Sequence, residues 1–390
     1  MICKIGSEKT MTKIKDIVKR IYSGGTPDTR KSEYWNGNIK WLSSGETRSN
    51  FIYDTNKRIT DLGVTNSSTK LANKNSIVIA CAGQGFTRGQ TSYLMDDMYI
   101  NQSIVCIDPD KDKVDSLYLY YFFKNSYQLL RNLSDDHSSR GSITTAMIKD
   151  LEVDFPDIEI QKKVSGILYS LDKKIELNNE INNNLYDMGD NLYNEYFDKY
   201  KGNLPSGYKI VKLNEVADIY DSKRKPMSSR EREQHRGIYP YYGATSIIDY
   251  VDNYIFDGTY LLMGEDGTVK TDEGFPVLQY IWGKNWINNH AHVLKGKTIS
   301  TELLMFALRK INIENVITGA VQPKINQENM NKIEFVIGND SKNKELEEIL
   351  TNLMNKSKNI IEENKKLEQL RDTLLPKLMN GEIDLDNIEI

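Results

Sequence analysis

Cysteine is scarce in this chain of 390 residues. The three that occur, Cys3, Cys81 and Cys106, are odd in number and far apart. That excludes a disulfide framework and points to a reducing, cytoplasmic setting. It also excludes a closely spaced cysteine pair for a metal. Long apolar runs are missing too. Segments such as 77–81 fall far below the roughly 20 residues that cross a bilayer, so no membrane role is expected. The opening MICKIGSEKT has no apolar h-region, and no secretory signal is expected. None of the nine prolines is followed by another. The Asn-Pro-Pro-aromatic motif expected of an adenine-N6 methyltransferase is therefore absent, and the chain is expected to carry no catalysis of its own.

Charge is segregated. The formal net charge is -4. Residues 157–200 hold 9 acids and 5 bases, and residues 340–390 hold 12 acids and 8 bases. The remainder is basic on balance, which suggests acidic scaffolding carrying more basic functional domains.

The chain repeats itself. Lys13-Ile14-Lys15-Asp16-Ile17-Val18 returns as Lys212-Leu213-Asn214-Glu215-Val216-Ala217. The short apolar strand at 75–79 is matched at 258–262, and Asn101-Gln102-Ser103 before a strand is matched by Asn288-Asn289-His290. Buried helices are predicted at 117–122 and 303–308. A glycine-centred turn follows in each half, at Arg140-Gly141-Ser142 and Thr318-Gly319-Ala320. This is a tandem duplication.

Each half ends in a long helical pattern. Val164, Leu168, Leu171, Ile175, Asn178, Asn182 and Leu185 alternate by four and three, as do Leu346, Leu350, Leu353, Ser357, Ile360, Asn364, Leu367, Arg371, Leu374 and Leu378. These are coiled-coil seams. Neither is apolar enough to stand alone, so they are expected to pack on each other, with Asn178, Asn182 and Asn364 helping to fix the register. Helices of about 35–40 residues would hold apart whatever sits at their ends by roughly 50–60 Å. The expected fold class is α+β: two similar globular domains joined by two long antiparallel coiled-coil helices. The segments read as domain 1 at 12–155, a central helix at 156–200, a turn-rich linker at 201–207, domain 2 at 208–339, a second long helix at 340–380 and a tail at 381–390.

The run Ser23-Gly24-Gly25-Thr26-Pro27, followed by Tyr34-Trp35-Asn36-Gly37-Asn38-Ile39-Lys40-Trp41-Leu42, resembles the opening of a target recognition domain in type I restriction–modification specificity subunits. Gly207-Tyr208-Lys209-Ile210-Val211-Lys212-Leu213 is similar to that family's entry into its second domain, and Phe155-Pro156-Asp157 onward to its proline-led central helix. Here Ile160 replaces the usual glutamate, and the second copy at 337–349 lacks the proline. The ending at 374–383 looks like the family's last helix and Gly-Glu-Ile tail. The resemblance covers nearly the whole chain. It implies a non-catalytic subunit that reads a split target on double-stranded DNA, one domain to each half. The helices would set the gap and dock two methyltransferase subunits. It places S-adenosylmethionine in the partner methyltransferase subunit, and ATP and Mg in the partner restriction subunits, with no cofactor in this chain.

DNA reading needs donors and acceptors aimed at base edges and cations on phosphates. Gln84, Arg88 and Gln90 lie on a glycine-rich segment that lets the backbone approach closely. Arg30, Lys31 and Arg48 in and beside the polar, aromatic opening segment suit phosphates, while Trp35 and Trp41 brace it. Asn101, Gln102 and Arg140 complete the first set. The second comprises the basic run Lys223, Arg224, Lys225, Arg230 and Arg232, with Tyr241, Tyr242, Asn288, Asn289, Gln322 and Lys324. Helix docking is assigned to Val164, Leu168, Leu171, Ile175, Leu346, Leu350, Leu353, Ile360, Leu367 and Leu374.

Other motifs are weaker. Residues 291–298 match a relaxed phosphate-loop pattern, but the repeat aligns His292-Val293-Leu294 with a strand. Pro156-Asp157 with Asp172-Lys173-Lys174 has the form of a nuclease motif, yet Asp172 falls on the helical pattern and is read as a solvated charge. His290 and His292 could share a strand face, but no third metal ligand is near in sequence. Competing functions are a self-contained DNA-modifying enzyme, disfavoured by the missing motifs, and a coiled-coil scaffold without DNA affinity.

Overall fold

The computed structural model describes residues 11–83, 85–135, 141–319, 322–383 and 385. They form two compact units. The first holds the described residues up to Glu176 together with those from Asn364 onward, and the second holds Leu177–Glu363.

The first unit is built on two sheets. Its strands are β1 (Val18–Ser23), β2 (Trp35–Leu42), β3 (Lys57–Ile59), β4 (Lys70–Ala72), β5 (Ile77–Ala80), β6 (Thr91–Leu94), β7 (Met98–Ile100) and β8 (Ile104–Pro109). One sheet runs β1-β8-β5-β6 and ends on the short strand Phe51–Ile52; the other runs β3-β2-β7-β4. β5 is buried at every residue, as expected of a central strand of Ile, Val and Ala covered on both faces. Helix α1 (Ser116–Asn125) covers this core. Its start is fixed by Asp115, whose side chain accepts a hydrogen bond from the Tyr118 N–H.

Helix α2 (Ile158–Tyr196) leads out of the first unit and into the second. There β9 (Ala217–Ile219), β10 (Arg236–Tyr242), β11 (Ile247–Val251), β12 (Phe256–Asp257), β13 (Tyr260–Gly264), β14 (Leu278–Ile281), β15 (Lys284–Ile287) and β16 (Ala291–Gly296) follow. Their orders, β9-β16-β13-β14 and β11-β10-β15-β12, repeat those of the first unit. Even the parallel pair recurs: Leu42 faces Ile100 between β2 and β7, and Tyr242 faces Ile287 between β10 and β15. Both β2 and β10 bulge at a glycine. A Cβ on Gly37 would lie 2.4 Å from the Ile59 carbonyl oxygen, and one on Gly237 2.4 Å from that of Val251, so neither position accepts another residue without backbone movement. One cross-strand pair is reversed. Arg20 on β1 bonds Asp108 on β8 at 2.9 Å, whereas Asp218 on β9 stands opposite Lys295 on β16. The duplication read from sequence is thus realised in the strand order of both sheets, apart from the extra edge strand Phe51–Ile52 of the first unit, and residues 291–296 are a strand rather than a phosphate loop.

Helix α3 (Thr301–Arg309), capped by Ser300, takes the place of α1 in the second unit, and α4 (Asp340–Met379) closes the described fold. Within the second unit α2 and α4 run antiparallel. Asn178 donates to Glu363 at 2.9 Å and Tyr196 to Glu345 at 2.8 Å, so the residue numbers fall along one helix as they rise along the other. Here Leu346, Leu350 and Ile360 are buried, with Tyr193 and Phe197 in the same core as Leu346 and Leu350. Met354 is deeper than its neighbour Leu353. α2 comes close to α3 at Gly189, where a Cβ would meet the Phe306 ring at 2.2 Å.

In the first unit Val164, Leu168 and Ile175 of α2 are buried, with Leu171 half-buried. On α4, Leu375 and Leu378 are buried, while Leu367 and Leu374 are half-buried. One expectation fails here. Asp172 is not a solvated charge: it is 3% exposed and accepts hydrogen bonds from Arg371 at 2.6 Å, Tyr121 at 2.8 Å and Asn50 at 3.4 Å. Arg371 is also a seam position, so the helix pair carries a buried ion pair where an apolar layer would otherwise stand. Burial works against the Arg371 charge, but the hydrogen bond and charge of Asp172, then those of Asp372, raise its pKa overall.

Candidate nucleic-acid interface

Each unit presents the same turn at the end of the same strand. In the first, Asn101 N–H donates to the Leu42 carbonyl, and the Asn101 side-chain oxygen accepts from Ser103 N–H at 3.0 Å. In the second, Asn288 N–H donates to the Tyr242 carbonyl and its side chain accepts from His290 N–H at 2.8 Å. Both asparagines are buried, and their side-chain oxygens hold the turn. The turns present Gln102 and Asn289 to solvent instead.

Around the first turn several segments meet. The Thr26 hydroxyl bonds Gln102 Oε1, Cys81 N–H donates to the Ser103 carbonyl at 2.9 Å, and Ile143 N–H donates to the Cys81 carbonyl at 2.9 Å. The glycine-rich segment turns through positive φ at Gly83, Gly85 and Gly89. Its backbone is pinned by Arg131, which donates to the Gly85 carbonyl at 2.6 Å, and by the Tyr127 hydroxyl on the Phe86 carbonyl at 2.9 Å. Phe86 itself is 84% exposed. Arg88 is buried and bonds Asp135 at 2.5 Å, and Gln90 is half-buried. Gln84, Arg140 and most of the 381–390 tail lie outside the described residues.

In the opening segment Trp35 and Trp41 pack edge to face, 5.0 Å between centroids, and donate to the carbonyls of Asp28 and Gly25. They brace the loop. Arg30, Lys31 and Arg48 are exposed. Arg30 bonds Asp28 at 2.8 Å and, chiefly through that hydrogen bond, holds its carboxyl down at about 2.

The second turn sits on an ionic network. Arg224 donates to Glu265 at 2.6 Å, to the Ala291 carbonyl at 2.7 Å and to the Asn289 carbonyl at 3.4 Å. Lys324 reaches Glu265 at 3.3 Å. His292 is buried, with Asp221 at 2.6 Å on one ring nitrogen and the Ile325 carbonyl at 2.8 Å on the other. Burial opposes the Asp221 charge, but His292, the Val293 N–H and Arg224 outweigh it and lower its pKa. The fold thus brings two carboxylates to His292 that sequence spacing did not show. Their oxygens are engaged by these cations and N–H groups.

Of the basic run, Arg224 and Arg232 are held internally, the latter by Asp249 at 3.1 Å, while Lys223, Lys225 and Arg230 are exposed. Tyr241 is buried, its hydroxyl accepting from Met227 N–H at 2.8 Å. Tyr242 is half-buried, its pKa pushed up to about 12 by burial and by nearby Tyr250 and Glu362. Gln322 is exposed beside Gly319. The structure therefore gathers Arg224, Asn288, Asn289 and Lys324 at one turn, and Asn101 and Gln102 with the 81–90 segment at the other. It does not bring the exposed cations Arg30, Lys31, Arg48, Lys223 and Arg230 into hydrogen bonds with either turn among the described residues. Sequence reasoning missed Thr26, Asp221 and Glu265, although Thr26 lies within a motif already singled out.

A duplicated α+β fold thus presents one turn twice, on different loop chemistry. Comparison with known proteins makes the class specific. The family described as "Type I restriction modification DNA specificity domain" matches this chain twice, over residues 6–186 and 205–371. The MjaIX specificity subunit of a type I restriction enzyme from Methanocaldococcus jannaschii is 23% identical over 99% of this chain and 96% of its own length. The Haemophilus influenzae protein named "Putative type I restriction enzyme specificity subunit S.HindORF215P" is 36% identical over 32% of each chain, so that match spans about a third of the relative. The crystal structure of the S subunit of the type I restriction-modification system from M. genitalium superposes with a TM-score of 0.62 at 17% identity, covering 97% of this chain and 99% of that one. The chain belongs to the type I restriction–modification specificity subunit family. No helix among the described residues is long and apolar enough to cross a membrane.

Proposed function

We propose that this chain is the sequence-reading, non-catalytic subunit of a type I complex, in which each unit reads one half of a split duplex target. The observation that carries this reading is the repetition of sheet order, parallel pair and asparagine turn in both units, with different side chains on the loops around each turn. One scaffold with two chemistries suits a target with two unlike halves. Gln102 and Asn289, carried on buried asparagine turns, are the best-positioned polar groups for base edges, and the exposed cations of the opening segment and of the 223–230 run supply phosphate contacts. The paired helices set the gap between the halves and dock two methyltransferase subunits, which bring S-adenosylmethionine; restriction subunits bring ATP and Mg.

Co-expression with the neighbouring methyltransferase subunit, followed by mapping of methylated adenines across the host genome, tests this. Two short defined half-sites with a constant gap are expected. A stable complex that adds no sequence-defined methylation would overturn the proposal.

A further inference from the structure

The first unit carries a basic groove that none of the expected contact residues line. It has a volume of about 650 Å³ and is lined by Lys15, Lys19, Arg20, Lys70 and Lys149, with Tyr22 and Leu71 between them. All five bases are exposed, and no acid among the described residues lines the groove. Arg20 is held by Asp108 and stacks over Tyr22 at 5.0 Å, while Lys70 lies over the same ring at 5.8 Å. The Tyr22 hydroxyl donates to the Leu71 carbonyl at 2.7 Å, tying β1 to β4 and giving the groove a firm wall. Of the acids on adjoining positions, Asp150 is taken up by Lys13 at 3.3 Å, and Asp16 stays outside the lining.

Position matters as much as charge. Lys70 pairs with Ile100, the residue immediately before the Asn101 turn, so one end of the groove abuts the candidate interface. From there it follows β1 towards Lys15 and Lys149. Five cations lining one elongated track suit an extended polyanion such as a sugar–phosphate backbone better than a single small anion, which two or three would satisfy. The second unit does not repeat this set among its described residues, because Arg20 corresponds to Asp218 there, and Lys15 to Asn214.

We infer that this groove binds the duplex backbone flanking the half-site read by the first unit, and that the two halves of the target are gripped unequally. The inference rests on the DNA-reading role proposed above. The test is the salt dependence of duplex binding by the complex with its methyltransferase subunits, comparing wild type with the combined variant Lys19→Gln, Lys70→Gln, Lys149→Gln. Each lost phosphate contact removes about 0.9 from the slope of log affinity against log salt, so the slope should shrink by about 3 with the methylated motif unchanged. A slope unaltered to within about 1, a changed motif, or loss of methyltransferase binding would each overturn the inference, the last assigning the groove to the partner subunit. The slope can be read on any duplex. A wild-type complex that failed to discriminate sequences would therefore sink the proposed function and leave this measurement intact.

Discussion

The buried pair of Asp172 and Arg371 allows a sharp test of how the helices are held in the first unit. Asp172 is 3% exposed and accepts three hydrogen bonds, so replacing Arg371 with Met strands a carboxylate that Tyr121 and Asn50 only partly satisfy. Breaking a buried pair from one side costs about 3–5 kcal/mol. The opposite change, Asp172→Leu, is milder at about 2–3 kcal/mol, because Arg371 keeps Asp372 at 2.8 Å and a side chain 13% exposed to water. Replacing both, Asp172→Leu with Arg371→Met, removes the stranded charge and restores an apolar layer. It should fall within about 1–3 kcal/mol of wild type, the remaining loss being that of the buried Tyr121 hydroxyl left without its acceptor, against a sum of single losses above about 5. Urea unfolding followed by tryptophan fluorescence suits the assay, since Trp35 and Trp41 both report on this unit. A cost under about 1 kcal/mol for Arg371→Met, or a double variant as unstable as the sum of the singles, would show that the pair is not held as a buried, mutually dependent unit.

Two further outcomes follow from the same packing. Lys124 is half-buried beside this pair, bonded to Asn50 at 2.8 Å, and burial lowers its pKa to about 8, with Arg371 adding to the effect and Asp172 opposing it. A depressed lysine is penalised while charged, so wild type should gain up to about 3 kcal/mol relative to Lys124→Met as pH rises from about 8 to 10.5, and nothing below about 7; a pH-independent difference in urea midpoint would contradict this. Gly189→Ala should improve a helix by about 1 kcal/mol on propensity alone. The 2.2 Å approach to Phe306 instead predicts a net loss of about 1–2 kcal/mol, recovered by Phe306→Leu, and urea midpoints of the single and double variants decide between them.

Much of the fold is legible because duplication lets one half check the other. Residues 291–298 are set on a strand only by comparison with 105–107, and a strand does run there from Ala291 to Gly296. The long helices are legible for a different reason, their alternation of four and three. Single side chains are harder to read. Asp172 has the look of surface because its partner lies 199 residues away, and no local pattern announces such a pair. Asn101 and Asn288 have the chemistry to meet bases, yet a side chain two residues from the N–H it caps more readily closes its own turn. The basic groove is invisible in the sequence because its bases come from positions as far apart as Lys15, Lys70 and Lys149 and converge only once β1 lies beside β4.

The reversed charges on the first strand of each unit bear on how a duplicated chain avoids folding into the wrong half. While the polypeptide is still open, β1 and β9 compete for the same partner strands, since sheet order and register are shared. If β1 docked on β16, Arg20 would face Lys295; if β9 docked on β8, Asp218 would face Asp108. Like charges opposite one another on neighbouring strands are unfavourable, whereas each correct pairing sets opposite charges face to face. The exchange of sign therefore tilts each copy towards its own partner strand by about 0.2–1 kcal/mol per pair, at the stage when misassembly between repeats is the characteristic failure of such proteins.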